Sequence, residues 1–298
     1  MPAEQGNATR PLQAVIDDFL IDLAQANRPR HTQRAYASDL HQFAHWHPGS
    51  LATISAQCLR EFFASLAHLS VGTRARKQAS LSTFFRWAGR QGLLPHNPMT
   101  YIERLKPDPP RQRGIDRRTI ETVIARIPAI QRRDRLFFRL LLETGVRVGE
   151  ALNLYVEDLD LTWDDERIEV RGKGNCRRTV LLDDPALVQE LRTYLKHTHY
   201  QHGPLFRASK NGRGGPLRYQ SVQARWATYC RAAAVQCPIH HLRHIHATEL
   251  VNDGVSLATI RKRLGHKHVH TTLRYAEQAD ATVDAELRAW RRRRQSRS

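Results

Sequence analysis

The sequence has few cysteines and no long apolar run. Its four cysteines are Cys58, Cys176, Cys230 and Cys237. No two of them have C-x-x-C spacing, so a disulfide framework is not expected and we interpret them as reduced thiols. No apolar run approaches the roughly 20 residues that cross a bilayer. Residues 1–10 lack the apolar stretch of a secretory signal. These absences predict a cytoplasmic protein.

Acidic residues are also scarce. Asp and Glu number 29 against 47 Lys and Arg, which leaves a formal charge of +18 and a pI of about 10.6. Such an excess repels itself in the folded state, and a polyanionic partner would offset it. Binding to that partner should then weaken steeply with salt. The alternative interpretation is a generally basic protein with no specific partner. Membrane-surface binding is less favoured, because the basic residues are spread along the whole chain.

Only seven of the 47 basic residues are lysine. Arginine suits bidentate phosphate contacts, but its pKa is too high for proton transfer at neutral pH. A lysine within a tight polar motif is therefore a candidate for chemistry. Lys173, in the string G-K-G-N, is such a lysine.

The spacing of apolar residues predicts two domains joined by a linker. Residues 10–92 repeat apolar side chains at helical intervals, which predicts an all-helical N-terminal domain. Prolines and basic residues crowd positions 93–114 and predict an extended linker. Residues 115–298 combine helices with two β-like runs, Arg167–Arg171 and Arg178–Leu182, joined by the turn around Lys173. We therefore expect a mainly α chain with a small β-sheet, and an α+β second domain.

A group of basic residues lies along the last predicted helix of the first domain. It consists of Arg74, Arg76, Lys77, Arg86 and Arg90. One interpretation is a DNA-facing surface, to which we assign Arg74, Arg76 and Lys77. A solvated charged helix face is the other.

Five short motifs in the second domain contain candidate catalytic residues. In order they are T-G-V-R-V-G-E at 144–150, G-K-G-N at 172–175, H-H-L-R at 240–243, L-G-H at 264–266 and T-T-L-R-Y at 271–275. In the third motif His240 and Arg243 lie three residues apart on a predicted helix, so both can face one phosphate.

The order Arg147, Lys173, His240, Arg243, His266, Tyr275 resembles the active site of the tyrosine recombinase, or phage integrase, family. The likeness covers nearly all the chain and is strongest to compact Xer-type members. Residues 10–92 resemble the family's core-binding, SAM-like domain. The resemblance implies a site-specific recombinase that cuts and rejoins double-stranded DNA through a 3′-phosphotyrosyl bond. It also implies a tetramer on DNA, formed by one recombinase or shared with a second.

The residue types suit this chemistry. Arg147 and Arg243 are permanently charged donors for the non-bridging oxygens of the transition state, and His266 would add another donor. Tyr275 is expected to be the nucleophile, with His240 as its base. Lys173 can protonate the departing 5′-oxygen. No metal or other cofactor is required.

The resemblance also implies that Glu150 holds His240 or Arg147 in place. Three departures from the family pattern, Ile245, His246 and Glu249, lie outside the motifs proper. After Tyr275, an apolar stripe (Val283, Leu287 and Trp290) precedes Arg291–Arg294. In similar recombinases such a terminal helix docks on a neighbouring subunit, and packing within the same subunit is the alternative.

Other interpretations remain for the same residues. Taken singly, each candidate could be a helix brace, an interior histidine or a core aromatic. A type IB topoisomerase or telomere resolvase would use the same chemistry, and an accessory protein would bind DNA without cutting it. Zinc is disfavoured, because the cysteines nearest the histidine cluster do not have zinc-finger spacing. The target site and the biological task are not determined by the sequence.

Overall fold

The computed structural model describes residues 10–107, 115–172, 176–208 and 215–265. The chain divides into two compact units, with the boundary between residues 111 and 112. Three predicted catalytic residues, Lys173, His266 and Tyr275, lie outside the described residues, and so does the predicted C-terminal helix.

The described part of the first unit is helical, as predicted. Its α-helices are α1 (Leu12–Gln25), α2 (Arg30–Trp46), α3 (Ala56–Ser65) and α4 (Val71–Arg90), with 3₁₀ turns at Leu51–Thr53 and Pro98–Tyr101. Ser55 and Ser70 begin α3 and α4, because each hydroxyl accepts a hydrogen bond from a backbone N–H of the first turn. Aromatic rings fill the core between these helices, and the rings of Phe43 and Phe62 pack edge to face at 4.9 Å.

Part of the stretch predicted as a linker packs on this unit. The turn Pro98–Tyr101 buries Met99 against the aromatic core. Gln78 on α4 accepts a hydrogen bond from the backbone N–H of Leu105 at 2.8 Å and donates one to the carbonyl of Glu103 at 2.6 Å. The chain therefore stays attached to α4 as far as residue 105. Pro98 is buried beside Met99, so a proline of the predicted linker takes part in this packing.

The second unit combines helices with one small sheet. Its described helices are α5 (Arg117–Ala125), α6 (Arg132–Thr144), α7 (Val148–Leu152), α8 (Pro185–Thr198), α9 (Tyr219–Ala232), α10 (His241–Asn252) and α11 (Leu257–Leu264). The strands are β1 (Leu159–Asp160), β2 (Arg167–Arg171) and β3 (Arg177–Leu181), paired antiparallel in the order β1-β2-β3. The prediction of a mainly helical chain with a small sheet is confirmed.

Helix α6 lies at the centre of the second unit. It packs against α5, α7, α8 and α10, and most of its apolar residues are fully buried. The sheet covers the same core with Ile168, Val170 and Val180, which share one face because strand residues alternate in direction. On another side Trp226 is buried, and its indole N–H donates to the carbonyl of Cys237 at 2.7 Å. Within the described ranges, no helix has the length and apolar character to cross a membrane.

Candidate active site

The turn between α6 and α7 presents the first predicted catalytic residue. Helix α6 ends at Gly145, whose left-handed backbone (φ 62°) closes the last turn with a bond to the carbonyl of Leu141. A side-chain carbon at Gly145 would lie 2.5 Å from His246 and 2.7 Å from Leu264, so this position requires glycine. Arg147 immediately precedes α7 with an extended backbone. The T-G-x-R string therefore makes a tight turn that places Arg147 at the start of a helix.

Glu150 holds Arg147 at two points. One carboxylate oxygen accepts the backbone N–H of Arg147 at 2.8 Å, and the other accepts a guanidinium N–H at 2.9 Å. Glu150 is buried, whereas the Arg147 side chain is 46% exposed. Of the two partners predicted for Glu150, His240 and Arg147, the described hydrogen bonds are to Arg147. The Arg147 guanidinium is oriented by the buried Glu150 and remains accessible to solvent.

A third residue, Arg178 on β3, completes this ion cluster. Its two terminal nitrogens donate to the two oxygens of Glu150, at 2.9 and 2.8 Å. Burial raises the pKa of Glu150, but the bonds from Arg178 and Arg147 outweigh it and bring the pKa to about 2. Glu150 is therefore a carboxylate throughout the physiological range.

Arg243, in the first turn of α10, ties three parts of the unit together. It donates to the carbonyl of Gly145 at 2.7 Å and to the carbonyl of Leu264 at 2.8 Å. These carbonyls belong to the ends of α6 and α11, which leave backbone acceptors unsatisfied within their own helices. The plane of the guanidinium is fixed by both bonds.

A pocket of about 210 Å³ brings three of the six predicted residues together. Arg147, His240 and Arg243 line it, and the rest of the wall consists of Tyr219, Ile239 and residues of α6, α7 and the turn between them. His240 is exposed, directly precedes α10, and contacts the rings of His241 and His244 at 4.9 and 5.6 Å. Two arginines and a histidine around one cavity form a site that can bind a phosphate and move a proton.

Two predicted residues outside the described ranges follow described residues of this site. Lys173 comes directly after Gly172, where a side-chain carbon would lie 3.7 Å from Glu150. His266 comes directly after Gly265, whose carbonyl accepts a hydrogen bond from Arg147 at 3.5 Å. Among the described residues, the chain therefore passes beside the Arg147–Glu150 pair at Gly172 and at Gly265.

The basic residues assigned to DNA on α4 differ in their surroundings. Lys77 is buried, and its ammonium group donates to Asp39 at 2.9 Å and to Gln42 at 2.6 Å. Arg76 pairs with the same aspartate from the exposed side, and the buried Nε of Arg74 has no hydrogen-bond partner among the described residues. In this structure Lys77 belongs to the core of the N-terminal unit. Its assignment to DNA rests on the sequence alone.

Cys230 and Cys237, the cysteines nearest the histidine cluster, are buried in the second unit. All four cysteines are free. Burial raises the pKa of Cys230 to about 11 and that of Cys237 to about 12, so both side chains are neutral thiols at physiological pH. In the part of the chain that the structure describes, no group of three His, Cys, Asp or Glu side chains has an arrangement that could hold a metal ion.

The two polar departures from the family pattern, His246 and Glu249, also have partners. Neutral His246, buried on α10, accepts a hydrogen bond from the Nε of Arg263 at 3.0 Å. Burial, followed by the charge of Arg263, lowers the pKa of His246 to about 3. Glu249 pairs with Arg117 at 2.9 Å, so each unusual residue is matched by an arginine.

Sequence reasoning missed the cluster partner Arg178 and the pocket residue Tyr219. A signal for Arg178 exists, because it has the same strand parity as buried Val180 and therefore points to the covered face. An arginine at an inward position predicts a buried acidic partner. Tyr219 begins α9 and is 46% exposed, and no pattern in the sequence distinguishes it from an ordinary surface tyrosine.

A helical unit followed by an α+β unit with a cationic pocket is the arrangement expected of the enzymes that cleave and rejoin DNA strands through a tyrosine, and the family match places the chain in that class. The chain belongs to the phage integrase family. The model of that family matches residues 115–282, and the model of its N-terminal SAM-like domain matches residues 16–92. Tyrosine recombinase XerC of Mycobacterium tuberculosis is 32% identical over 306 residues, covering 92% of this chain and 97% of that protein.

Solved structures share the fold. XerH recombinase, in a post-cleavage complex with its palindromic difH substrate, has a TM-score of 0.73 and 21% identity, covering 94% of this chain and 84% of that one. A lambda integrase tetramer bound to a Holliday junction has a TM-score of 0.77 and 16% identity, covering 90% and 78%.

Proposed function

We propose that this chain is a site-specific DNA recombinase that cleaves and rejoins strands through a 3′-phosphotyrosyl bond to Tyr275. The observation that supports it most is the pocket that gathers Arg147, His240 and Arg243. These are three of the six residues expected from the family pattern, and they come from two separate motifs. A likeness of fold alone would not require them to meet.

The contacts of each arginine fit its proposed role. A phosphodiester under attack gains negative charge on its non-bridging oxygens, and fixed cations stabilise that charge best when they need no reorganisation. Arg147 is held by Glu150 and is half exposed, so its guanidinium can meet a phosphate in a preset orientation. Arg243 is fixed by two backbone carbonyls. Both arginines are therefore positioned before DNA arrives.

The remaining steps add Tyr275, Lys173 and His266, which lie outside the described residues. The phenol of Tyr275 attacks the phosphorus while His240 takes its proton, and Lys173 gives a proton to the departing 5′-oxygen. His266 adds a donor to a non-bridging oxygen. A 5′-hydroxyl of the partner strand later attacks the phosphotyrosine and releases Tyr275. One phosphodiester is exchanged for another, so the reaction balances without a metal or cofactor.

We further propose that the chain works as a tetramer on DNA, alone or with a second recombinase. The lambda integrase tetramer on a Holliday junction has the same fold. The apolar stripe of residues 283–290 would link neighbouring subunits. Deleting residues 280–298 should abolish cooperative assembly on DNA in a gel-shift titration, and unchanged cooperativity would contradict docking between subunits. A cytoplasmic location fits a protein that needs access to DNA.

A covalent-trapping assay tests the proposed function. The wild type, Tyr275→Phe and Tyr219→Phe are incubated with sheared genomic DNA of the source organism in EDTA and then denatured. We expect an adduct with the wild type and with Tyr219→Phe, the control because Tyr219 lines the pocket, and none with Tyr275→Phe. An adduct that persists in Tyr275→Phe would contradict the nucleophile. Binding without any adduct would instead indicate an accessory protein.

A second assay distinguishes recombination from topoisomerase activity. DNA fragments recovered from the adduct are placed twice on one supercoiled plasmid. Recombination predicts deletion or inversion of the segment between the two copies. Relaxation of the plasmid without strand exchange would identify a type IB topoisomerase activity in its place.

A further inference from the structure

Arg178 is an arginine on the covered face of a strand. In β3 it alternates with Arg177, so Arg178 points toward the core side with Val180 while Arg177 points outward. The Arg178 side chain is 15% exposed and that of Arg177 is 59% exposed. Among the described residues, Arg177 forms an ion pair with Glu169 on the neighbouring strand, as an ordinary surface pair does.

Every described side-chain hydrogen bond of Arg178 lies beside the active site. Its terminal nitrogens bind both oxygens of Glu150, and its Nε donates to the carbonyl of Arg263 at 3.0 Å. A side-chain carbon on Gly265 would lie 3.0 Å from the same guanidinium, and one on Gly172 would lie 3.9 Å from it. Gly172 and Gly265 directly precede Lys173 and His266 in the sequence.

We propose that Arg178 is a positioning residue that joins the Arg147–Glu150 pair to the chain segments leading into Lys173 and His266. The inference rests on the proposed function and assigns a role to a residue outside the six expected from the family pattern. Arg178 touches no reacting atom. It acts through Glu150 and through the backbone that leads to two donors of the reaction.

The physical need for such a residue follows from the burial of Glu150. A buried carboxylate is stable as an ion only when cations and donors compensate its lost hydration. Among the described residues, the charged groups that bind it are Arg147 and Arg178. Without Arg178, Glu150 would be compensated by Arg147 alone. The guanidinium that should face the phosphate would then be drawn toward the carboxylate.

Arg178→Ala and Arg178→Lys test this role, with Arg177→Ala as the matched control. Arg177→Ala removes the same charge one residue away, from the outward face. Single-turnover adduct formation on sheared genomic DNA is measured beside the apparent Kd for that DNA. We expect Arg178→Ala to lose about 100-fold in rate, as for a misplacement of about 1 Å, with the Kd unchanged. Arg178→Lys should be intermediate, because an ammonium group cannot bind both oxygens as a fork does.

The outcomes are distinct. Wild-type rates in both Arg178 variants would overturn the inference while leaving the proposed function intact. A loss confined to the Kd, or an equal loss in Arg177→Ala, would also overturn it, since it would indicate a DNA contact. If the wild type forms no adduct on Tyr275, the proposed function itself fails. Thermal unfolding identifies a misfolded variant, and Arg178→Lys then decides the question, because it keeps the charge and most of the side-chain volume.

The pH profile gives a readout that a purely structural role would not change. In the wild type Glu150 stays ionised and the rate should not depend on it above pH 5. In Arg178→Ala one of its two described cations is lost while burial remains, so its pKa rises and the rate should fall on the acid side. A flat acid side in that variant would contradict the proposed link through Glu150.

Discussion

Replacing Gly145 with alanine tests how the end of α6 builds the active site. Gly145 has a positive φ of 62°, and its carbonyl accepts a hydrogen bond from Arg243 at 2.7 Å. An alanine Cβ would lie 2.5 Å from a ring carbon of His246 and 2.7 Å from a methyl of Leu264, both in the packed interior. The substitution adds one methyl group at the point where three helices meet.

The expected cost has two parts. A left-handed backbone costs a residue with a side chain about 1–2 kcal/mol. Forcing an extra methyl into a packed core typically costs about 1–3 kcal/mol. Together they predict a loss of about 2–5 kcal/mol in the free energy of unfolding. Adduct formation should fall as well, because the Gly145 carbonyl that orients Arg243 would shift.

Gly149→Ala is the matched control. Gly149 lies within α7, and a Cβ there meets nothing within 4 Å. Alanine is a better helix former than glycine by about 0.8–1.0 kcal/mol, so this variant should be slightly more stable. Urea unfolding of the full chain, followed by hydrogen exchange in peptides of the second unit, measures both variants. Equal stability of Gly145→Ala and Gly149→Ala would refute the packing described around α6.

Two further predictions concern buried charge in each unit. Asp39→Asn should destabilise the N-terminal unit by about 3–5 kcal/mol, because Lys77 would remain buried without its carboxylate. The control is Asp18→Asn, in an exposed pair with Arg10, which should change stability by no more than about 1 kcal/mol. Similar urea midpoints for the two variants would contradict the buried pair. The pKa of His246, lowered to about 3, makes the unfolded chain bind a proton that the folded chain does not as pH falls below about 6.5. The contribution of neutral His246 to the free energy of unfolding is therefore fully present above that pH and is lost as the pH falls toward 3. His246→Gln should remove about 2 kcal/mol of the loss between pH 7 and pH 5, and an unchanged pH dependence of unfolding would show that His246 takes up a proton in the fold.

The parts of the structure that the sequence predicts well are local. The hairpin of β2 and β3 follows from alternating residues around a glycine-rich turn, and the motif at 144–150 combines a helix-ending glycine with an acidic residue three positions after Arg147. Such patterns act within a few residues, where backbone geometry and hydrogen bonding limit the choices. The meeting of His240 and Arg243 with Arg147 was expected only from the family pattern, since about a hundred residues separate them.

What the sequence did not predict depends on long-range pairing. Lys77 is buried because Asp39, 38 positions away, lies opposite it on another helix. Arg178 binds Glu150 across 28 positions. The segment around Met99 packs on the first unit because the Met99 side chain is buried against the aromatic core. In each case the partner is chosen by tertiary packing, and neither composition nor periodicity identifies it.

The most direct test of the central claim is the identity of the residue bonded to DNA. The adduct formed in EDTA is digested with nuclease and trypsin and analysed by mass spectrometry. Trypsin cleaves after Arg274 and Arg288, so the peptide of residues 275–288 contains Tyr275 as its sole tyrosine. The account predicts a nucleotide attached to Tyr275 through its 3′-phosphate. A nucleotide on Tyr219 or on any other residue, or a 5′-phosphate linkage, would contradict it.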